Sequence, residues 1–266
     1  MAQADAGREV LLEARGLAKS FGGVRAVDGV DVTINKGEVV TIIGPNGSGK
    51  STFFNLLTGI YPLDAGEIIL DGKSIGNFPA DRIARAGIAR TFQNIRLFNN
   101  LTVMENVMIG MHTSVEASLF GAVFGSPALK KREKEAKEKA MDILSIFAKR
   151  LYPRLDHPVF SLSYANRRRV EIARALAVNP KILLLDEPTA GMNPFETTEL
   201  VENVTEIRRR GFTLAIIEHK LDVVNKISDR VLVLDHGKKI AEGSAEEVSN
   251  NPYVIEAYLG HPPAAA

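Results

Sequence analysis

An α/β fold follows from three features of the 266-residue sequence. Four short aliphatic runs, Val39-Val40-Thr41-Ile42-Ile43, Lys181-Ile182-Leu183-Leu184-Leu185, Thr213-Leu214-Ala215-Ile216-Ile217 and Val231-Leu232-Val233-Leu234, have the pattern of strands buried on both faces. Stretches of helical periodicity lie between them, which predicts a mostly parallel sheet with helices on its faces. A glycine-rich loop joins the first run to a helix, the junction at which such sheets bind ligands.

In chain order, Val30, Val32 and Ile34 alternate with polar residues and Asn35-Lys36-Gly37 follows, so this region is predicted to be an antiparallel hairpin. After the strand at Val39–Ile43, Thr52 to Thr58 reads as a helix with Gly59 at its C′ position. Ser126-Pro127 supplies an N-cap and a proline at N1, opening a helix that runs to about Arg150. Its Ala136, Ala140, Ile143, Leu144 and Phe147 share one face, and the mixed-sign run Lys130 to Lys139 is the solvated face. Residues 94–177 are expected to form a helical lobe inserted into a core made of 10–93 and 178–260. Residues 10–260 then form one domain, and 1–9 and 261–266 are expected to be disordered.

Composition narrows the function. With 33 Lys+Arg against 32 Asp+Glu the net charge is +1, so no global electrostatic footprint for nucleic acid is expected. The chain has no Cys, which excludes disulfide scaffolds, thiol catalysis and cysteine zinc sites. Met1 to Glu9 is polar and lacks the apolar region of a secretory signal. The weakly polar stretch Ala117 to Gly125 is far shorter than the roughly 20 residues of a membrane span. A soluble chain is expected, with any membrane role exercised through a partner.

Gly44-Pro45-Asn46-Gly47-Ser48-Gly49-Lys50-Ser51 matches G-x-x-x-x-G-K-[ST] between a strand and a helix. Gly47 and Gly49 let successive N–H groups turn inward toward phosphate oxygens, and the following helix adds the positive end of its dipole. Lys50 can place a point charge on the β- and γ-phosphates, and the Ser51 hydroxyl can ligate Mg²⁺. The predicted nucleotide contacts run from Gly44 through Thr52. Ile182 to Leu185 bury their strand, so Asp186 and Glu187 emerge at its C-terminal edge. Asp186 suits Mg²⁺ held through water, and Glu187 can reach an attacking water as general base or orienter.

With these motifs in place, the chain from about Leu11 to Gly260 resembles the ATP-binding cassette (ABC) family. The resemblance implies an ATPase of the ABC type: a P-loop core carrying an antiparallel β subdomain, with the helical lobe inserted. It also implies further roles. Phe21, in Leu17-Ala18-Lys19-Ser20-Phe21-Gly22, stands where the family stacks an aromatic on adenine. Gln93 occupies the Q-loop, which touches the metal and the membrane partner. Leu162-Ser163-Tyr164-Ala165-Asn166 stands at the LSGGQ signature, where Ser163 would meet the γ-phosphate held by a partner cassette. Ala190-Gly191-Met192-Asn193 matches the D-loop, and His219 the histidine that would bond the γ-phosphate and hold Glu187's water.

Within the family, Ile88 to Phe98, Glu171 to Ala175, Ala190 to Pro194, Asn251-Pro252 and Ala257 to Gly260 are most similar to the larger type of ATPase subunit of branched-chain amino-acid importers. The long insertion between Gly110 and Ser126 fits that group. Membership implies a second cassette, as homodimer or heterodimer, under two membrane permease subunits fed by a periplasmic binding protein. The chain would sit on the cytoplasmic face of the inner membrane. The alternative is a soluble cassette ATPase acting on DNA or ribosomes, which usually carries two cassettes or a long coiled-coil insertion; neither is present. A P-loop kinase would leave the signature segment and His219 unexplained.

Two features carry further expectations. Ile95, Leu97, Phe98, Leu101 and Val103 are apolar for a loop, and either line a groove for a membrane-subunit helix or belong to the lobe core. Where the family has LSGGQ, the chain has Tyr164-Ala165-Asn166. The Ala165 Cβ is expected to disfavour a positive φ and to crowd the partner's phosphate, and Asn166 is one methylene shorter than Gln. Unequal sites in a heterodimer would follow, set against the alternative of a small backbone shift.

Overall fold

A computed structural model describes residues 9–111 and 127–259. The Ser126 cap, the stretch Ala117 to Gly125, most of the leader and the tail lie outside the described residues. Among those described, no helix is long and apolar enough to cross a membrane.

The first sheet is antiparallel, in the order β2-β1-β4-β5, built from β1 (Val10–Phe21), β2 (Val24–Asn35), β4 (Ala65–Leu70) and β5 (Lys73–Ser74). The second has the order β10-β9-β3-β8-β7-β6. It consists of β3 (Val39–Ile43), β6 (Ile88–Arg90), β7 (Ile182–Asp186), β8 (Thr213–Ile217), β9 (Arg230–Asp235) and β10 (Lys238–Gly243). All its neighbours pair in parallel except β9 with β10.

All four aliphatic runs are strands of this second sheet, and β3, β7 and β8 are buried throughout. Their side chains alternate between its faces. Leu183, Leu185, Leu214 and Ile216 join one apolar cluster; Ile182, Leu184, Ala215 and Ile217 join the other. Truncating one of these leucines or isoleucines, as in Leu184→Ala, would open a cavity costing about 2–5 kcal/mol.

The predicted hairpin is displaced. Val30, Val32 and Ile34 are buried on one face of β2, as alternation requires, but the hairpin partner is the upstream β1, with Val30 opposite Leu17 and Ile34 opposite Leu12. The turn is Gly22-Gly23, at φ of 52° and 88°. Asn35-Lys36-Gly37 instead carries the chain from one sheet to the other. Alternation identifies a half-buried strand and says nothing of which neighbour completes it.

The helices are α1 (Lys50–Leu57), α2 (Ala80–Ala86), α3 (Val103–Met111), α4 (Pro127–Leu144), α5 (Ala148–Leu151), α6 (Tyr164–Ala177), α7 (Pro194–Arg209), α8 (Leu221–Ile227), α9 (Ala245–Ser249) and α10 (Pro252–Leu259). Helix α1 ends at Leu57 with Thr58 as its C-cap, and Gly59 follows at φ 65° in the C′ position expected of it. Helix α4 buries Ala140 and Leu144 and leaves Lys131, Glu133, Lys134 and Glu135 exposed. It stops at Leu144 rather than near Arg150. The Ser145 hydroxyl bonds back to the Asp142 carbonyl at 2.5 Å, and a 3₁₀ turn over Ser145–Phe147 leads into α5. Glu9, assigned from sequence to the leader, accepts the Lys36 amide at 2.9 Å through its carbonyl.

Helices α3 to α6 all lie between β6 and β7 in the chain. Val103 and Val107 of α3 share with Val170 and Leu176 of α6 the cluster on the Leu183 face of the sheet. The opposite cluster joins α1, through Phe53, Phe54 and Leu57, to Leu12, Leu17 and Ile34 of the first sheet. The same cluster includes Val40 and Ile42 of β3, so the two elements that flank the β3–α1 loop are anchored together.

Candidate active site

The loop from Gly44 to Gly49 leaves β3 at the edge of the parallel sheet and ends at Gly49, φ 102°, the N-cap of α1. Glycine is required there. A Cβ at Gly49 would lie 2.2 Å from the Ala26 carbonyl oxygen, and one at Gly44, φ 147°, would lie 2.0 Å from that of Leu234. Lys50 is buried and folds back over the loop, donating from Nζ to the carbonyls of Gly44 and Pro45 at 2.8 Å each and to Ser48 Oγ at 3.3 Å. Desolvation pushes its pKa down from the ordinary lysine value, and the charges of Glu187 and Asp186 oppose that shift. Asn46, Gly47 and Ser51 are exposed, Pro45 and Thr52 half-buried.

Asp186 and Glu187 end β7 one strand away, with β8 between. Asp186 is buried, and its Oδ2 accepts from Arg90 Nη2 at 2.8 Å. Glu187 leaves the strand in the left-handed region at φ 45°, a conformation costing on the order of 1–2 kcal/mol in a residue with a Cβ. Its amide donates to the Ile217 carbonyl at 3.0 Å. That turn swings its carboxylate between two segments. His219 Nε2 lies 2.8 Å from Oε1, and Gln93 Nε2 donates to Oε2 at 3.3 Å. Lys50, Gln93, Asp186, Glu187 and His219, spread over 170 residues of chain, thus converge at one sheet edge.

Oxygen donors suit a hard cation here. The exposed Ser51 hydroxyl, the Asp186 carboxylate and the Gln93 amide oxygen match the sparse protein ligation of Mg²⁺, which keeps waters and substrate phosphates as its remaining ligands. Among the described residues no group of three His, Cys, Asp or Glu could form an all-protein cage. The donor set fits an ion brought in with a nucleotide.

Phe21 ends β1 at the tip of the hairpin whose Ala26 carbonyl lies against Gly49. Phe21 is 42% exposed, its ring makes a T-shaped contact with Tyr61 at 5.1 Å between centroids, and Lys19 Nζ lies over the ring at 5.7 Å from its centroid. Ser163 is not joined to the carboxylate cluster. It caps α6, its Oγ accepting the Asn166 amide at 3.4 Å.

The expectation for Ala165 is corrected. Ala165 lies inside α6, is absent from the positive-φ positions and has its side chain in the core cluster. Asn166 is also turned inward, its Oδ1 accepting from Arg169 Nη1 at 3.0 Å. The helical backbone at Ala165 does not demand a glycine, so the argument from a positive φ falls.

Three buried groups at the site were not legible in the sequence. Arg90 donates to Asn55 Oδ1 at 2.6 Å besides holding Asp186, with its guanidinium over the rings of Phe54 and Phe92. Glu218 accepts from the Thr189 amide at 3.1 Å and the His219 amide at 2.9 Å, so it fixes the segment after Glu187 to the one bearing His219. Arg168 reaches the backbone beside Gln93. The only sequence signal was an acidic residue, Glu218, directly after a buried strand.

The apolar residues after Gln93 divide. Val103 is in the core and Leu97 packs against it; Ile95 and Leu101 are half-buried; Phe98 is 49% exposed, with the Arg174 guanidinium 5.8 Å from its centroid.

The chain is similar to known proteins along most of its length. Residues 27–190 match the family model described as ABC transporter, and residues 238–264 match that of the branched-chain amino acid ATP-binding cassette transporter. The chain is 42% identical over 251 residues, 94% of its length and 98% of the relative's, to the high-affinity branched-chain amino acid transport ATP-binding protein LivG of Salmonella typhimurium. It is 41% identical over the same span to BraF of Pseudomonas aeruginosa. Among solved structures it is similar to a nucleotide-free ATP-binding cassette from an ABC transporter, with TM-score 0.80, 38% identity and coverage of 95% of this chain and 100% of that one. A dimeric, post-hydrolysis cassette bound to ADP and Pi is also similar, with TM-score 0.74, 26% identity and coverage of 88% and 99%.

Proposed function

Because this chain belongs to the ABC transporter ATPase family, we propose that it is the ATP-hydrolysing subunit of an importer for branched-chain or closely related amino acids. The observation that carries the reading is the likeness along 94% of the chain to high-affinity branched-chain amino acid transport ATP-binding proteins. It speaks for transport against an ATPase acting on DNA or ribosomes. Two permease subunits and a second cassette, identical or not, would complete the transporter on the cytoplasmic face of the membrane. A periplasmic binding protein would deliver the substrate.

The chemistry is hydrolysis of the β–γ phosphoanhydride. Residues Gly44 to Thr52 hold the triphosphate through backbone N–H groups, with Lys50 Nζ exchanging its own-loop carbonyls for phosphate oxygens and Phe21 stacking on the base. Ser51, Asp186 and Gln93 would hold Mg²⁺, which when bound offsets charge on the transferring phosphoryl group. Glu187 takes the proton of the attacking water as the water oxygen bonds to the γ-phosphorus and ADP departs with the bridging oxygen. Gln93 and His219 each engage one of the Glu187 oxygens, and each oxygen keeps a lone pair free for the water's proton. His219 then serves the γ-phosphate and keeps the water in line. Ser163 serves the nucleotide bound to the partner cassette.

The test is reconstitution. The chain is co-expressed with permease and binding-protein subunits from its own genome, and leucine uptake into liposomes loaded with ATP is measured. ATP-dependent uptake is expected. Co-purification with ribosomes or DNA, with no membrane association and no uptake, would contradict the reading.

A further inference from the structure

Arg90 ends β6, and its side chain is only 6% exposed. Its guanidinium reaches two other elements. Nη2 donates to Asp186 Oδ2 at 2.8 Å, at the end of β7. Nη1 donates to Asn55 Oδ1 at 2.6 Å, within α1, and to Thr58 Oγ1 at 3.3 Å, at the C-cap of that helix. The guanidinium carbon lies 5.5 Å from the ring centroid of Phe54 and 5.2 Å from that of Phe92. The adjoining Thr91 adds a further link, its Oγ1 accepting the Asp186 amide at 3.3 Å. One planar group therefore bridges the helix that starts at Lys50-Ser51 and the strand that ends in Asp186.

Stability does not call for this bridge. A buried ion pair contributes little beside apolar side chains of similar volume. Arg90 Nε, moreover, is buried without a hydrogen-bond partner, which weighs against the fold. What the bridge relates is two of the oxygen donors that would hold Mg²⁺: the Ser51 hydroxyl, one turn before Asn55 on α1, and the Asp186 carboxylate, of which Arg90 engages a single oxygen. Two effects of Arg90 on a cation there oppose each other. Its charge repels a metal ion beside Asp186. Its hydrogen bonds orient the carboxylate, and partners of that kind are worth about 10–100-fold in metal affinity. The second effect fits the geometry, since a mere counter-charge has no need of Asn55.

We propose that Arg90 is a positioning residue of the metal site, fixing the Asp186 carboxylate at a set distance from Ser51 so that both meet the ion that arrives with the nucleotide. It rests on the reading of Ser51 and Asp186 as metal-binding residues. Lysine cannot reproduce the bridge, because a single ammonium lacks the rigid fork that serves two separate elements at once.

Mn²⁺ binding to the complex of the full chain with ADP, followed by electron paramagnetic resonance, tests this beside calorimetric ADP affinity in EDTA. Arg90→Met and Arg90→Lys should weaken Mn²⁺ binding by about 10–100-fold and leave the metal-free ADP affinity unchanged. Three results would overturn the proposal: tighter Mn²⁺ binding in Arg90→Met, as charge repulsion alone requires; unchanged Mn²⁺ binding in both variants; or ADP binding weakened equally with and without metal, as a merely structural residue would give. Asp186→Asn in the same assay tests the reading beneath. If that variant keeps its Mn²⁺ affinity, Asp186 is not a metal-binding residue; a loss there with normal Arg90 variants dismisses Arg90 alone. Should neither Arg90 variant fold, Asn55→Ala decides, since it cuts the α1 end of the bridge and leaves Asp186 paired. Weaker Mn²⁺ binding at unchanged metal-free affinity is expected of it, and unchanged Mn²⁺ binding would overturn the proposal.

Discussion

His219 Nε2 stands 2.8 Å from Glu187 Oε1, although the two residues belong to different strand-end loops. Neither meets the other by local geometry. Glu187 is turned into place by its left-handed backbone at the end of β7, and His219 is held at the end of β8 by its amide bond to Glu218 at 2.9 Å. The pair puts a carboxylate able to accept a proton and a ring able to donate a hydrogen bond at the same edge as Lys50.

His219→Ala should leave nucleotide binding intact and lower ATP turnover in the assembled transporter by about 10²-fold or more, the scale of losing a group that positions the base and water. Steady-state phosphate release measures it.

Lys50→Ala removes the single cationic side chain of the phosphate loop. Replacing a charge-assisted contact by nothing should weaken ATP binding by about tenfold or more. Calorimetry on the isolated chain would read this, with an unchanged circular dichroism spectrum as the control for the fold.

Phe98 and Leu97 should part company. Phe98 is 49% exposed, so Phe98→Asp is expected to keep the melting temperature while losing association with the permease subunits. Leu97 packs on the core, so Leu97→Asp should lower the melting temperature as well. Thermal melts and pull-down on membrane subunits separate the two effects.

Glu199 gives a pH dependence. The Arg150 hydrogen bond, followed by that of Lys149, holds its carboxyl down from 4.5 to about 2. Because the folded value is depressed, the stabilisation is complete above the unfolded value and is lost as pH falls through the folded one. Denaturant midpoints of the unmodified chain should therefore fall between about pH 4.5 and pH 2. Glu199→Gln should flatten that fall.

The legible parts of the site are those whose chemistry is written in consecutive residues. The phosphate loop announces itself because strand, glycines, lysine and helix must be adjacent, and Asp186-Glu187 because a buried strand ends at them. Arg90 and Arg168 were invisible for the converse reason. Arg90 meets Asp186 across 96 positions and Arg168 meets Gln93 across 75, and nothing local marks an arginine as buried. The misplaced hairpin has a similar origin, since the partner of β2 lies upstream of the glycine pair and apolar alternation does not name it. Ala165 misled because a glycine in a family motif suggested a positive φ, whereas this backbone is already helical there.

The most direct test of the hydrolytic account is Glu187→Gln, which keeps the size and hydrogen bonding of the side chain but removes its capacity to take a proton. MgATP affinity and single-turnover hydrolysis should be measured together on the assembled transporter. The account predicts binding at least as tight as in the unmodified chain and hydrolysis slowed by about 10²-fold or more. Hydrolysis at the unmodified rate, with MgATP bound, would contradict it.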